Sequence, residues 1–423
     1  MRPHSILFIN RVYPPAEGAT GTLLAELAGE LAQAGWRVTV VTSRTSPQQP
    51  RSETVAGVRV ERVSGLPFTR ASHWRRALSY LSLYPALLWR AWRLPRHEVV
   101  VALTDPPLLL VPGALLAWSK RSRLLHWAQD LYPELAEEVG VLRKDGSLAR
   151  ALRGLSTWAL RRCDRIVAVG QCMKTRFVER GIPSAVIDVI PNWGQVSHAD
   201  PASFRREHGL EDRFVVMYSG NLGLAHPFEA MLDAAERLQS VQPRIEFVLV
   251  GDGPQLPWVR KEVARRSLCH VRFLPFQPRE KLGQSLAAAD IHLASMKQNL
   301  CGLVVPSKVY GVLAAGRPCV FLGPEASEPA QFILEHGCGS VLENATGARL
   351  AACLAQWATD AALLQQAQRR VHSMTERVGL QAAANAFARV LEEVEEQPAR
   401  ERRRVQGNPD THHTSPTPVR TAL

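Results

Sequence analysis

The sequence predicts an α/β protein built from two doubly wound, Rossmann-like parallel sheets. Three observations carry this: short β-branched runs recur along the chain, helix-patterned stretches separate them, and several runs end in glycine turns. Alternation of this kind buries parallel strands under helices on both faces, and ligands then sit at the carboxyl ends of the strands. At 423 residues and 46% hydrophobic content, the chain is long enough for two such domains.

The first sheet starts with SILFIN (5–10), an unbroken apolar run suited to a strand buried on both faces. GTLLAELAGELAQAG follows with apolar residues at 23, 24, 27, 28 and 31, a helical spacing, and leads into RVTVVTS (37–43). EVVVAL (98–103) and DRIVAVG (164–170) read as further strands. A second sheet is expected from FVVMYSG (214–220), EFVLVGDG (246–253), HVRFLPF (270–276), IHLASM (291–296) and PCVFLG (318–323). The junction falls near VIPNWGQVSHADP, which sets domains of 1–195 and 196–380. The tail, 397–423, lacks apolar periodicity and reads as disordered, with His412–His413 an incidental pair.

The seven cysteines are scattered, without a C-x-x-C pair or a His/Cys cluster, which argues against a disulfide framework and a zinc site. A reducing cytoplasm fits that usage. MRPHSILFINRVYPP has too short an apolar run for a signal peptide, and 99–118 is broken by Asp105 and three prolines, a poor membrane span. Net charge is +12, and residues 1–195 hold 26 Lys+Arg against 15 Asp+Glu, so the first half expects an acidic surface.

Glycine turns follow three strands: PPAEGATGT (14–22), YSGNLGLAHP (218–227) and VGDGPQ (250–255). The helix after each aims free N–H groups at the strand ends, a natural phosphate site, although tight strand–helix packing accounts for any one of them equally well. VPSKVYGVLAAGRP poses a sharper question. Lys308 stands one residue inside a helix, where the macrodipole favours negative charge. Ser307 is placed to cap that helix and Gly316 to end it in a left-handed conformation. Helix N–H groups, dipole and ammonium would then converge on one anion, such as a diphosphate. A solvent-exposed lysine on a surface helix has the same spacing.

In their order, the segments GTLLAELAGELAQAGWRVTVVTS, TDPPLLL, QDLYPELAEEVGVL, CDRIVAVGQCMKTRFVERGIP, VIPNW, YSGNLGLAHP, FVLVGDGP, VRFLPFQPREKLGQSLAAADIHL and VPSKVYGVLAAGRP resemble retaining GT-B glycosyltransferases of the family-4 type. The likeness covers about 5–395 and points to the bacterial exopolysaccharide and O-antigen branch, including colanic-acid-type transferases. It implies an interdomain cleft, with a UDP- or GDP-sugar held by the second half. Its diphosphate would lie near Gly220, Asn221, Gly223, Ser307 and Lys308, and its nucleotide near Gly251 and Gly253. The first half would hold the acceptor, with Asp130 and Glu134 facing the cleft. The helix 381–396 would cross back onto the first domain. No cofactor beyond the nucleotide-sugar co-substrate is implied, and no Asp-x-Asp pair beside the site demands a metal.

Two departures from the family pattern stand out. Gly311 occupies the place of a glutamate that contacts the nucleotide ribose, with Leu303 eight residues before it. GNLGLAHP also lacks the usual Arg/Lys pair. The resemblance leaves the ribose contact unassigned. Retaining transfer builds negative charge on the leaving diphosphate, where a cation and fixed dipoles help most, so Lys308 is the first catalytic candidate. Asp130 is the second, to orient or deprotonate an acceptor hydroxyl, with capping of the following helix as its alternative role.

Residues 68–96, FTRASHWRRALSYLSLYPALLWRAWRLPR, carry six arginines and no acid. Trp74, Leu78, Leu81, Pro85, Leu88 and Trp92 fall on one helical face, and Pro85 would kink or divide the helix. A basic helix with tryptophan on its apolar side matches an interfacial element on an anionic membrane, and a core-facing helix shows the same period. The membrane reading places the protein in the cytoplasm, peripheral at the inner face of the plasma membrane, with a lipid-linked glycan acceptor. Competing readings are a GT-B sugar-nucleotide epimerase and a degenerate, non-catalytic membrane scaffold. A nucleic-acid binder is disfavoured, because no recognised motif accompanies the charge.

Overall fold

The computed structural model describes residues 4–16, 18–66, 73–194, 200–223, 226–374 and 379–396. Eight strands come from the first half: β1 (Ser5–Ile9), β2 (Arg37–Ser43), β3 (Ser52–Val55), β4 (Val58–Val63), β5 (Val99–Ala102), β6 (Arg123–Ala128), β7 (Arg165–Ala168) and β8 (Ile187–Val189). They lie in the order β3-β4-β2-β1-β5-β6-β7-β8, parallel except for the β3–β4 hairpin at one edge. Six more form a second sheet: β9 (Phe214–Ser219), β10 (Ile245–Val250), β11 (Val271–Leu274), β12 (Ile291–Ser295), β13 (Cys319–Leu322) and β14 (Gly339–Leu342). Their order is β11-β10-β9-β12-β13-β14, all parallel. The strand order reverses between β1 and β5 in one sheet and between β9 and β12 in the other, the crevices where doubly wound sheets take ligands.

Five of these strands were not expected. β3 and β4 read SETV and VRVERV, with charges interrupting the apolar pattern of an edge hairpin. β6, RLLHWA, carries its apolar signal across His126 and Trp127, both buried. β8 and β14 have three and four residues, too few to show a period.

Burial on both faces makes β1 and β5 apolar throughout. The last described helix, Leu380–Glu396, returns to the first sheet and buries Ala383, Phe387, Val390, Leu391 and Val394 in its core. Phe387 meets Trp127 edge-on at 5.3 Å between centroids. Each large side chain buried this way contributes roughly 1.5–3 kcal/mol, which ties the end of the chain to its beginning. The junction at residue 195 and the tail from 397 lie outside the described residues.

The two sheets meet through specific backbone contacts. Leu131 N–H donates to the Leu303 carbonyl at 2.8 Å, and Asp130 forms an antiparallel bridge with Val304. Gln171 N–H donates to Glu328 Oε2 at 2.6 Å, and Arg176 Nε donates to the Cys301 carbonyl at 3.2 Å. A Cβ at Gly194 would sit 2.2 Å from the Tyr310 carbonyl oxygen, so the connecting chain lies directly on the helix that begins at Lys308.

Candidate active site

β9 and β10 are each followed directly by glycine, Gly220 and Gly251, and the two loops interlock. Gly220 N–H donates to the Val250 carbonyl and Leu222 N–H to the Asp252 carbonyl, each at 2.9 Å. A Cβ on Gly251 would lie 2.2 Å from the Gly220 oxygen, and one on Gly253 would lie 2.6 Å from Asn221 Oδ1. Both residues have positive φ, +133° and +155°. Glycine is required here by backbone approach, and Gly220, Asn221, Gly251 and Gly253 are thereby brought together at the strand ends.

The helix Lys308–Ala314 begins beside this point. Its end follows expectation: Gly316 has φ +76°, its N–H donates to the Leu313 carbonyl, and Arg317 N–H donates to the Val312 carbonyl, a Schellman motif. Its start differs. Ser307 has helical dihedrals and makes no side-chain capping bond. Val309 and Tyr310 N–H turn back to the Pro306 and Ser307 carbonyls at 3.3 and 3.1 Å. Among the described residues this leaves the Ser307 and Lys308 N–H groups as the unpaired donors of the helix start.

Lys308 does not run out into solvent. Its Nζ lies 4.0 Å from the Tyr218 ring centroid, donates to Tyr218 Oη, and stands 3.3 Å from His226 Nε2. It is 3.5 Å from where a Gly220 Cβ would be. Burial of the ammonium lowers its pKa to about 7, with the Cys319 thiol opposing that fall. Burial and the Lys308 charge push His226 down to about 3, so its ring is neutral. Tyr218 is on β9 and Ser295, whose carbonyl His226 contacts, ends β12; the ammonium therefore sits at the crevice between these strands. GNLGLAHP has no Arg/Lys pair of its own, and Lys308 places its charge against His226 of that same segment. Tyr218 and His226 were not foreseen, although both lie in the quoted YSGNLGLAHP.

Gly311 stands in the same helix, and a Cβ there would meet no atom within 4 Å. The position opens onto free space, while Leu303 is buried in the core of the first domain. Gly223 packs beside Asn221, whose Nδ2 would be 3.1 Å from a Cβ there.

Across the domain boundary, Asp130 lines a small cavity of about 20 Å³ with Thr104, His126, Tyr132 and Ser156. Its carboxyl makes no hydrogen bond or ion pair among the described residues, and it does not cap the following helix, whose N-cap is Pro133. Burial, helped by the Asp105 charge, raises its pKa to about 7. His126 Nδ1 donates to the Ala102 carbonyl at 2.9 Å, and burial lowers that ring to about 4. Glu134 is not free in this way: it faces Arg180 at 3.4 Å and Arg153 at 3.6 Å inside its own domain.

The basic aromatic stretch forms one helix, His73–Arg93, which runs through Pro85 undivided. The helix has two apolar stripes. Ser79, Leu83, Leu87 and Ala91 face the core, whereas Leu78, Leu81, Trp89 and Trp92 are exposed, Leu81 by 62% and Trp89 by 59%. Trp118, 66% exposed, and Leu115 add to them from the neighbouring helix Leu110–Lys120. Trp89 and Trp92 stack at 5.8 Å, with Arg93 5.3 Å from the Trp89 ring and Lys120 5.6 Å from the Trp92 ring. Arg90 leaves the basic face to pair with buried Glu61. Residues 68–72 and the side chains of 73–77, Trp74 included, lie outside the described residues. No described helix is long and apolar enough to cross a membrane.

Comparison with known proteins agrees with this architecture. Residues 18–193 match the model of the Glycosyl transferase 4-like domain, and residues 213–360 match that of Glycosyl transferases group 1. The chain is 28% identical over 252 residues to the probable glycosyltransferase WbjE of Pseudomonas aeruginosa, a match spanning 58% of this chain and 62% of that protein. It is 27% identical over 348 residues to the putative colanic acid biosynthesis glycosyl transferase WcaI of Escherichia coli K12, spanning 75% and 83%. Among solved structures, Anabaena Alr3699/HepE in complex with UDP-glucose superposes with a TM-score of 0.69 at 18% identity, covering 92% of this chain and 99% of that one. WaaG, a glycosyltransferase involved in lipopolysaccharide biosynthesis, does so with a TM-score of 0.64 at 16% identity, covering 91% and 99%. At those identities the structural likeness speaks for the fold. With two matched models that together take in most of the chain, on two sheets of the expected topology, the chain belongs to the GT-B glycosyltransferases of the family-4 type.

Proposed function

We propose that the enzyme moves a hexose, with retention, from a UDP- or GDP-linked donor to a lipid-linked glycan acceptor in bacterial surface polysaccharide synthesis. The observation that carries this reading is the Lys308 ammonium, held at the β9–β12 crevice beside the Gly220–Gly223 loop. Charge develops on the leaving diphosphate as the glycosidic bond to it breaks, and a part-buried cation there lowers the barrier more than it would in water. Unpaired N–H groups of Ser307 and Lys308 add to the same anion site. Asp130, with no partner of its own and a pKa near neutrality, suits orientation or deprotonation of the acceptor hydroxyl. HepE has been solved with UDP-glucose, and WcaI is assigned to colanic acid biosynthesis, which supports the donor class and the pathway class.

The exposed Leu81, Trp89, Trp92 and Trp118, flanked by Arg93 and Lys120, supply the membrane side of the reading. Tryptophan at the headgroup level and cations against anionic lipid would hold the protein peripherally at the cytoplasmic face, next to a polyprenyl-type acceptor. The test is a product analysis. Protein is incubated with UDP- and GDP-hexoses with and without a polyprenyl-diphosphate-linked sugar, and products are read by mass spectrometry and by NMR of the new linkage. The reading expects an acceptor longer by one hexose with the donor's anomeric configuration. Conversion of the sugar nucleotide without acceptor would mean an epimerase, and failure to bind any UDP- or GDP-sugar would mean a scaffold.

A further inference from the structure

An ammonium has three N–H donors, and the surroundings of Lys308 account for two. Tyr218 Oη gives its own proton to the Asn221 carbonyl at 2.9 Å, so toward Lys308 it can only accept. His226 Nδ1 lies 2.6 Å from the Ser295 carbonyl, and two acceptors cannot share that distance, so Nδ1 carries the proton. Its Nε2 therefore presents a lone pair to Lys308 Nζ at 3.3 Å. The ring is wedged in place by Tyr218 and Phe228, which meet it edge-on at 5.8 and 6.3 Å. One ammonium proton is left without an acceptor among the described residues.

We propose that His226, with Tyr218, is a positioning residue that aims the Lys308 ammonium and reserves its third N–H for an oxygen of the donor diphosphate. This rests on the reading of Lys308 as the diphosphate cation and adds the means by which a flexible side chain is pre-organised. The groups facing the ammonium are Tyr218 from β9, His226 from the loop after it, and the Cys319 thiol from β13; Lys297 is a second cation acting on His226. His226 stays neutral across the working range and titrates nothing itself. Loss of its lone pair removes one acceptor from a part-buried ammonium, so Lys308 gives up its proton at lower pH.

The test is calorimetric titration of the full chain with UDP and with GDP from pH 6 to 9, with thermal midpoints measured alongside. His226→Phe keeps the ring and removes the acceptor. It should weaken the better nucleotide about tenfold at pH 7 and move the pH at which affinity falls downward. His226→Gln, whose amide oxygen can accept, should return affinity to within about threefold of the parent. If His226→Phe binds as the parent does with the same pH midpoint, while Lys308→Met loses binding, the positioning role is wrong and the lysine reading stands. If Lys308→Met also binds normally, the lysine reading itself fails. Should His226→Phe not fold, the pH midpoint of His226→Gln decides: a parent-like value supports the role, and a value shifted downward despite the amide acceptor overturns it.

Discussion

Replacing Lys308 by Met should stabilise the free protein while disabling it, by an amount that depends on pH in a known direction. Methionine keeps most of the stem and removes the charge. In the unfolded chain the lysine holds its proton up to about 10.5, and in the folded protein only to about 7. The unfolded state thus binds more protons between these values, and parent stability rises with pH across that window. Below pH 7 the full cost of keeping a part-buried ammonium applies, about 5 kcal/mol for a shift of this size, and by pH 9 roughly 3 kcal/mol of it has gone. Lost bonds to Tyr218 and His226 offset part of the gain, but they are lost at every pH. The advantage of Lys308→Met over the parent should therefore shrink by about 3 kcal/mol between pH 6 and pH 9. Urea unfolding followed by tryptophan fluorescence at the two pH values measures it, with sugar transfer assayed in parallel and expected to fall at least tenfold. An equal stability gap at both pH values would refute the buried-cation argument, and unchanged transfer would refute the role.

Three further predictions concern other parts of the molecule. Asp130→Asn should reduce transfer by roughly 100-fold, the scale of a lost general base; the parent's turnover profile should carry an acid limb near pH 7 from the raised carboxyl, opposed on the alkaline side by loss of the Lys308 proton, and an acid limb that survives unchanged in the Asn variant would speak against the role. The same carboxyl holds a proton in the fold that the unfolded chain releases between its ordinary value near 3.8 and 7, so parent stability falls across that window and the Asn variant's does not. Gly251→Ala puts a Cβ 2.2 Å from the Gly220 oxygen at a φ of +133°, and should cost at least about 2 kcal/mol in thermal or urea unfolding. Replacing Trp89, Trp92 and Trp118 together by Ser should abolish co-sedimentation with phosphatidylglycerol-rich vesicles at low salt and leave the thermal midpoint unchanged; a parent protein that ignores such vesicles would end the membrane reading.

The sheets were legible where burial on both faces forces continuous apolar runs, as in β1, β5, β9 and β10. They were illegible where charge interrupts the edge hairpin, as in β3 and β4, or where His126 breaks the run, as in β6. The helix is not divided at Pro85, which lies on its exposed side, where water can serve the carbonyl left without a donor. Lys308 stood out by its position in a helix, which is a local property. Its partners did not, since Tyr218 and His226 lie 90 and 82 residues upstream and only the crossing from β9 to β12 brings them to the ammonium. Ser307 has the residue type of a cap without the extended dihedral a cap needs. The period of that helix placed Leu88 on one face with Trp92 and left Trp89 off it, whereas packing turns Leu83, Leu87 and Leu88 toward the core and Trp89 and Trp92 toward solvent.

Soaking or co-crystallising the protein with UDP or GDP would test the central idea most directly. The account predicts a phosphoryl oxygen within hydrogen-bonding distance of Lys308 Nζ and over the Ser307–Lys308 amides, with Tyr218 and His226 still holding the ammonium. Phosphates resting elsewhere, with that side chain untouched by the nucleotide, would contradict it.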